Sequence, residues 1–161
     1  MLNVFVFDSL LLLCCGYALW RGGAPERIGG IIFLLATALT VVAASGPASR
    51  FASVEMGIFI VDVATLVALI VLALRAERHW PLWVAGLQIV GTAGHAVKLV
   101  DPTVIPRAYA FALAFWSYPM LLILVLGTWR HQQRLAKFGA DRSWSSSWGR
   151  SGRQRGGGPT G

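Results

Sequence analysis

Apolar residues in this chain are grouped into blocks about as long as a lipid bilayer is thick, and this feature constrains the fold most. A transmembrane helix needs roughly 20 mostly apolar residues, because the hydrocarbon core is about 30 Å thick and each residue rises about 1.5 Å. The links between the blocks are short and hold glycine, proline and charged residues, which favours antiparallel neighbours in a bundle. The sequence therefore predicts an all-α integral membrane protein with five spans, at about 2–20, 28–44, 54–74, 80–100 and 108–129.

The composition agrees with a membrane location. The 161 residues are 56% hydrophobic and 13% charged, whereas about a quarter of the residues in a soluble domain are charged. A secretory signal peptide is the competing interpretation of the first segment. No basic residue precedes its apolar run, however, and Leu19-Trp20-Arg21 is not a small-residue cleavage site. We expect the first segment to be retained as a helix.

The basic residues predict the orientation of the bundle, because cytoplasmic loops carry an excess of Lys and Arg. With the N-terminus outside, 11 of the 14 Lys and Arg residues fall on the cytoplasmic side, and only Arg50, Lys98 and Arg107 fall outside. Tryptophans also cluster at the cytoplasmic helix ends, where indole rings anchor at headgroup level: Trp20, Trp80, Trp83 and Trp129. We therefore predict an N-out, C-in topology, in the plasma (inner) membrane if the protein is bacterial.

The C-terminal segment 136–161 differs from the bundle at 1–135, since it is rich in Ser, Gly and Arg and lacks apolar periodicity. Such a segment is predicted to be disordered, and here cytoplasmic. Its composition is similar to that of segments that hold RNA. Anionic lipid headgroups are the simpler partner for a basic tail at a helix end, so nucleic acid is disfavoured. The residues expected at this interface or in the tail are Trp129, Arg130, Arg134, Lys137, Trp144 and Trp148.

Polar side chains at membrane depth form the candidate site, because each one is costly to bury unless it has a partner or a function. In the predicted topology the ionisable members all lie in the outer half of the membrane. Glu55 and Asp62 are seven residues apart and share a helix face. We expect Glu55 near Lys98, Asp62 near His95 or Thr92, and Asp8 facing them from the first helix. The full set is Asp8, Glu55, Asp62, Gln88, Thr92, His95 and Lys98.

Two interpretations of this set stay open. Interhelical polar contacts that only fix helix register are common in membrane proteins. The alternative is a functional site, such as a proton relay, a small-solute or quinone pocket, or a metal position.

The sequence contains no motif that indicates enzyme chemistry. The histidines at positions 79 and 131 lie at the cytoplasmic interface and His95 lies in the outer half, so one chain does not supply two axial haem ligands. Cys14 and Cys15 are adjacent, which is not the spacing of a zinc or redox motif. No phosphate-binding loop and no Gly-x-Ser-x-Gly are present. No metal site or cofactor is indicated by motif.

The sequence thus favours an accessory or structural subunit of a membrane assembly. Its expected partners are the bilayer, anionic headgroups at the cytoplasmic face, and either further copies of the chain or other membrane subunits. A small proton-coupled carrier that uses the intramembrane polar set is the alternative. A membrane redox protein that binds a quinone or another cofactor is a further one.

Overall fold

The structure, a computed structural model, describes the backbone of residues 2–44, 51–100 and 106–139, and side chains over 5–43, 56–94 and 115–139. Within these ranges the chain is all-helical, as predicted. The helices are α1 (Leu2–Arg21), α2 (Ala24–Ala44), α3 (Phe51–Arg75), α4 (Trp80–Val100) and α5 (Pro106–Phe138).

The start of α2 lies one turn before the apolar segment predicted at 28–44. Its first residues are Ala24, Pro25 and Glu26. Proline is tolerated in the first turn, where its missing N–H has no intrahelical partner, and a carboxylate there is favoured by the helix dipole. The hydropathy pattern does not register these residues because Glu26 interrupts it.

The end of α5 lies about two turns beyond Trp129, where the predicted apolar segment stops. The added turns hold Arg, Gln, Lys, Leu and Ala, which all have high helix propensity. The helix stops at Gly139, whose φ is 69° and whose N–H donates to the Leu135 carbonyl oxygen at 2.9 Å, as in a left-handed C-terminal cap. Residues 136–138 of the predicted tail are therefore helical, and Trp144 and Trp148 lie outside the described residues.

The helices pack as a ring in chain order. Each packs against the next, α1 also packs against α5, and α2 contacts α5 across the ring. The buried interior includes Cys15, Leu69, Val84 and Leu124, none of which is exposed.

Over the described side chains, the sides of the bundle are largely apolar. Large hydrophobic side chains stand exposed on every helix, and examples are Leu13, Val42, Leu74, Trp83 and Leu122. In the described residues, two segments are long and apolar enough to cross a membrane, Ala24–Ala43 and Met56–Arg75. These two helices support a membrane association.

Candidate functional site

One end of the bundle, which we call the basic end, brings together α1, α2, the link 76–79 and α5. There the Gln132 amide of α5 donates to the backbone carbonyl of Arg21, the last residue of α1. The acidic residues at this end are Glu26 and Glu77. Its basic residues are Arg21, Arg27, Arg75, Arg78, Arg130, Arg134 and Lys137.

Four side chains meet inside the basic end, and we call them the buried polar cluster: Glu26, Arg78, Trp80 and His131. Glu26 is fully buried, and its Oε1 accepts a hydrogen bond from Trp80 Nε1 at 3.0 Å. Arg78 Nε lies 4.0 Å from the same oxygen, and Arg78 Nη2 lies 3.4 Å from His131 Nδ1. The cluster thereby connects α2, the 76–79 link, α4 and α5.

Glu26 and Arg78 are both buried, so the stability of the bundle depends on the contact between their charges. Arg78 is 5% exposed and Glu26 is 0% exposed. A buried charge is costly unless it is paired and hydrogen-bonded, and removal of one partner leaves the other uncompensated. The cluster therefore makes the docking of α2 depend on the 76–79 link.

Gly23 leaves the space that the His131 ring occupies. A Cβ at this position would lie 2.9 Å from His131 Cε1 and 3.0 Å from Glu26 Oε2. That carboxylate oxygen is buried and has no hydrogen-bond partner among the described residues. The link between α1 and α2 thus lies directly against the cluster. A side chain larger than hydrogen at position 23 would displace the His131 ring or the Glu26 carboxylate.

Two glycines form a slot for the Trp80 indole. A Cβ on Gly29 of α2 would lie 2.6 Å from Trp80 Cη2, and a Cβ on Gly127 of α5 would lie 2.9 Å from Trp80 Cδ1. Small residues allow helices and large rings to approach closely. The slot fixes the ring so that its N–H points at Glu26.

The predicted seam between α3 and α4 is partly described. The half-buried Asp62 accepts a hydrogen bond at Oδ1 from Gln88 Nε2 at 3.4 Å, and the Asp62 carbonyl oxygen lies at the same distance. Thr92 is buried, and its hydroxyl donates to the Gln88 carbonyl oxygen at 2.9 Å. The structure thus brings Asp62 together with Gln88, another member of the predicted polar set, and the expected contact with Thr92 or His95 stays a prediction.

The other members of the predicted polar set are less closely defined. Asp8 is half-buried on α1, which packs between α2 and α5. The side chains of Glu55, His95 and Lys98 lie outside the described ones. Their proximity to Asp62 stays a prediction.

The buried polar cluster was not predicted from the sequence, and one of its members was predicted to lie elsewhere. Trp80 was predicted to anchor at the headgroups, but this is wrong because the ring is only 8% exposed and bonds to Glu26. Trp20, Trp83 and Trp129 are all exposed. Two signals could have indicated the cluster: the Pro-Glu pair in the first turn of α2, and the Arg-His-Trp run at the start of α4. The antiparallel arrangement of the helices brings both to one end of the bundle.

The cluster holds its helices together by charge and hydrogen bonding. Over the described side chains, no group of three or more His, Cys, Asp or Glu is placed to hold a metal ion. Cys14 is half-buried and Cys15 is buried, and both are free thiols. Comparison of the chain with protein-family models, with curated proteins and with solved structures finds no match.

Proposed function

We propose that the chain is a five-span membrane protein with its N-terminus outside and its C-terminus in the cytoplasm. It acts as an accessory or structural subunit of a membrane assembly, and its outward helix faces contact partner helices. The observation that carries this proposal is the separation of polar and apolar groups. Glu26, Arg78, Trp80 and His131 bond across helices inside the bundle, whereas large apolar side chains are exposed along its sides.

The membrane location is supported by how little of the apolar helices is covered. In both Ala24–Ala43 and Met56–Arg75 only 22% of the apolar window is buried within the bundle. A core helix of a soluble protein would be mostly buried, and exposed apolar patches of this extent mark lipid or partner contacts.

The orientation is supported by the charges at the basic end. Seven basic and two acidic residues lie there, and the positive-inside rule assigns such an end to the cytoplasm. The same end receives the C-terminal part of α5, so the chain beyond Gly139 starts on the cytoplasmic side.

Crosslinking within the native membrane, followed by mild-detergent extraction and native electrophoresis, tests the subunit role. The proposal predicts a discrete band for a complex larger than the monomer. The same band should appear without crosslinker when the detergent concentration is kept low. Leu74→Ser and Leu122→Ser change exposed positions, so loss of the complex in one but not the other would locate the contacting face. A monomer that copurifies with nothing would contradict the proposal.

A proton-coupled carrier is the second candidate, favoured by the position of Asp62. Its carboxylate lies half-buried between two apolar helices and is bonded by an uncharged amide. Intramembrane carboxylates commonly serve in proton relays. Proton-driven flux can be measured in proteoliposomes. A lower flux in Asp62→Asn, with unchanged flux in Thr40→Val as the polar control on α2, would favour the carrier. Equal flux in the wild type and in empty liposomes would remove it.

A further inference from the structure

A groove of about 770 Å³ lies between α4 and α5 near the basic end. Its walls are apolar and come from Leu82, Trp83, Gly86 and Leu87 on α4 and from Pro119 and Ile123 on α5. His79, in the link before α4, lines the groove as well and is exposed. Its volume falls within the range of ordinary ligand pockets.

Gly86 keeps the groove open. A Cβ at this position would meet no atom within 4 Å, so helix packing does not require glycine here. Gly29 and Gly127 differ in this respect, because each lies against the Trp80 ring. The missing side chain at position 86 therefore leaves space for an occupant.

Basic side chains continue the groove along α5. Ile123, Arg130 and Arg134 are seven and then four residues apart, which places them within about 40° of one another around the helix. Arg130 is exposed, and so is Arg75 at the end of α3. The apolar wall of the groove thus passes into a basic stripe at the level of the lipid headgroups.

The distance along α5 from Pro119, which lines the groove, to Arg130 matches the thickness of one leaflet. Pro119 and Arg130 are separated by about 16 Å along α5, given a rise of about 1.5 Å per residue. Half of the hydrocarbon core is about 15 Å thick. An occupant with its polar end at Arg130 would therefore reach the bilayer midplane near Pro119.

We propose that this groove binds one acyl chain of an anionic phospholipid from the cytoplasmic leaflet, with the phosphate held by Arg130 and His79. The excess of seven basic over two acidic residues at the basic end favours an anionic headgroup over a zwitterionic one. Basic pockets between helices on the cytoplasmic side are typical sites for anionic lipids. The inference rests on the membrane orientation proposed above.

Native mass spectrometry of the full-length protein, released from nanodiscs of equal phosphatidylglycerol and phosphatidylcholine, tests the site. We expect the wild type to retain phosphatidylglycerol preferentially. Gly86→Leu fills the groove and should abolish this retention. Gly16→Leu is the matched control, because Gly16 also has no atom within 4 Å of its Cβ position but lies on α1.

A second variant tests the headgroup contact without changing the groove. Arg130→Gln should lower the ratio of retained phosphatidylglycerol to phosphatidylcholine about fivefold, since one basic residue near the surface contributes roughly 1 kcal/mol. Arg21→Gln removes the same charge from α1, which contributes no residue to the groove lining, and should lower the ratio less than Arg130→Gln does.

Three outcomes would overturn the inference: equal retention of both lipids by the wild type, equal retention by Gly86→Leu and Gly16→Leu, or a quinone in place of the phospholipid. Alkaline carbonate extraction separates this failure from failure of the proposed function. A protein that stays in the membrane but has no lipid preference contradicts only the groove, whereas a protein released by carbonate contradicts both.

Discussion

The slot around Trp80 gives a prediction that the distances define closely. In Gly29→Ala the new Cβ would lie 2.6 Å from Trp80 Cη2 and 3.4 Å from Leu124 Cδ1. Carbon atoms pack best at about 3.5–4.0 Å, so the indole must move by about 1 Å. Gly127 closes the other side of the ring, and the hydrogen bond to Glu26 fixes its direction.

The expected change in the free energy of unfolding is the difference between a packing cost and a gain in helix propensity. Overpacking of a filled interior costs about 1–3 kcal/mol. Replacing a helical glycine by alanine returns roughly 0.5–1 kcal/mol. Gly29→Ala should therefore destabilise the protein by about 1 kcal/mol in net terms, and by no more than about 2.5 kcal/mol.

Reversible unfolding in mixed micelles, followed by far-UV circular dichroism, measures this difference. Gly16→Ala is the control, because its Cβ meets open space and only the propensity term remains. Trp80→Phe removes the atoms nearest Gly29, so the double variant should cost less than the sum of the two single variants by about 0.5 kcal/mol or more. The indole does not fill this slot if two results are found together. Gly29→Ala and Gly16→Ala would change the free energy of unfolding equally, and the change in the double variant would equal the sum of the changes in its two single variants.

Three further substitutions test the contacts between helices by the same unfolding measurement. Glu26→Ala leaves Arg78 buried beside a cavity and should cost about 3–5 kcal/mol, so a loss below about 1 kcal/mol would show that the carboxylate is hydrated. Gly23→Ala should cost about 1–3 kcal/mol because its Cβ meets the His131 ring, and unchanged stability would refute that packing. Gln88→Leu should cost only about 0.6 kcal/mol, the average for a polar contact between membrane helices, and a loss several times larger would assign the seam a greater structural role.

The helices themselves could be predicted because the apolar runs are long and separated by short breaks. The bounds predicted for the fourth segment agree with those of α4, where Arg-His-Trp-Pro marks a sharp start. The C-terminal turns of α5 could not be found in this way. Hydropathy falls after Trp129, while helix propensity stays high up to Gly139.

The contacts between helices were harder to predict, because they depend on how each helix is rotated. Glu26 and Trp80 are 54 residues apart. In the sequence Glu26 resembles a residue of a solvated link, and Trp80 resembles an anchor at the headgroups. Their pairing requires the slot formed by Gly29 and Gly127, which no local pattern reveals. Between α3 and α4, the spacing of polar residues indicated that the two helices face one another. It did not determine the partner of Asp62, because Thr92 and His95 lie about one turn apart on the same face of α4.

Both the subunit role and the lipid groove require a membrane bundle whose basic end faces the cytoplasm. Single cysteines introduced as Ser45→Cys and Gln133→Cys, in a background with Cys14→Ala and Cys15→Ala, test this with a membrane-impermeant maleimide. In this orientation we expect the cysteine at position 45 to be labelled in intact cells, and the cysteine at position 133 to be labelled only after permeabilisation. Labelling of both on one side, or the reverse pattern, would contradict the orientation on which both proposals rest.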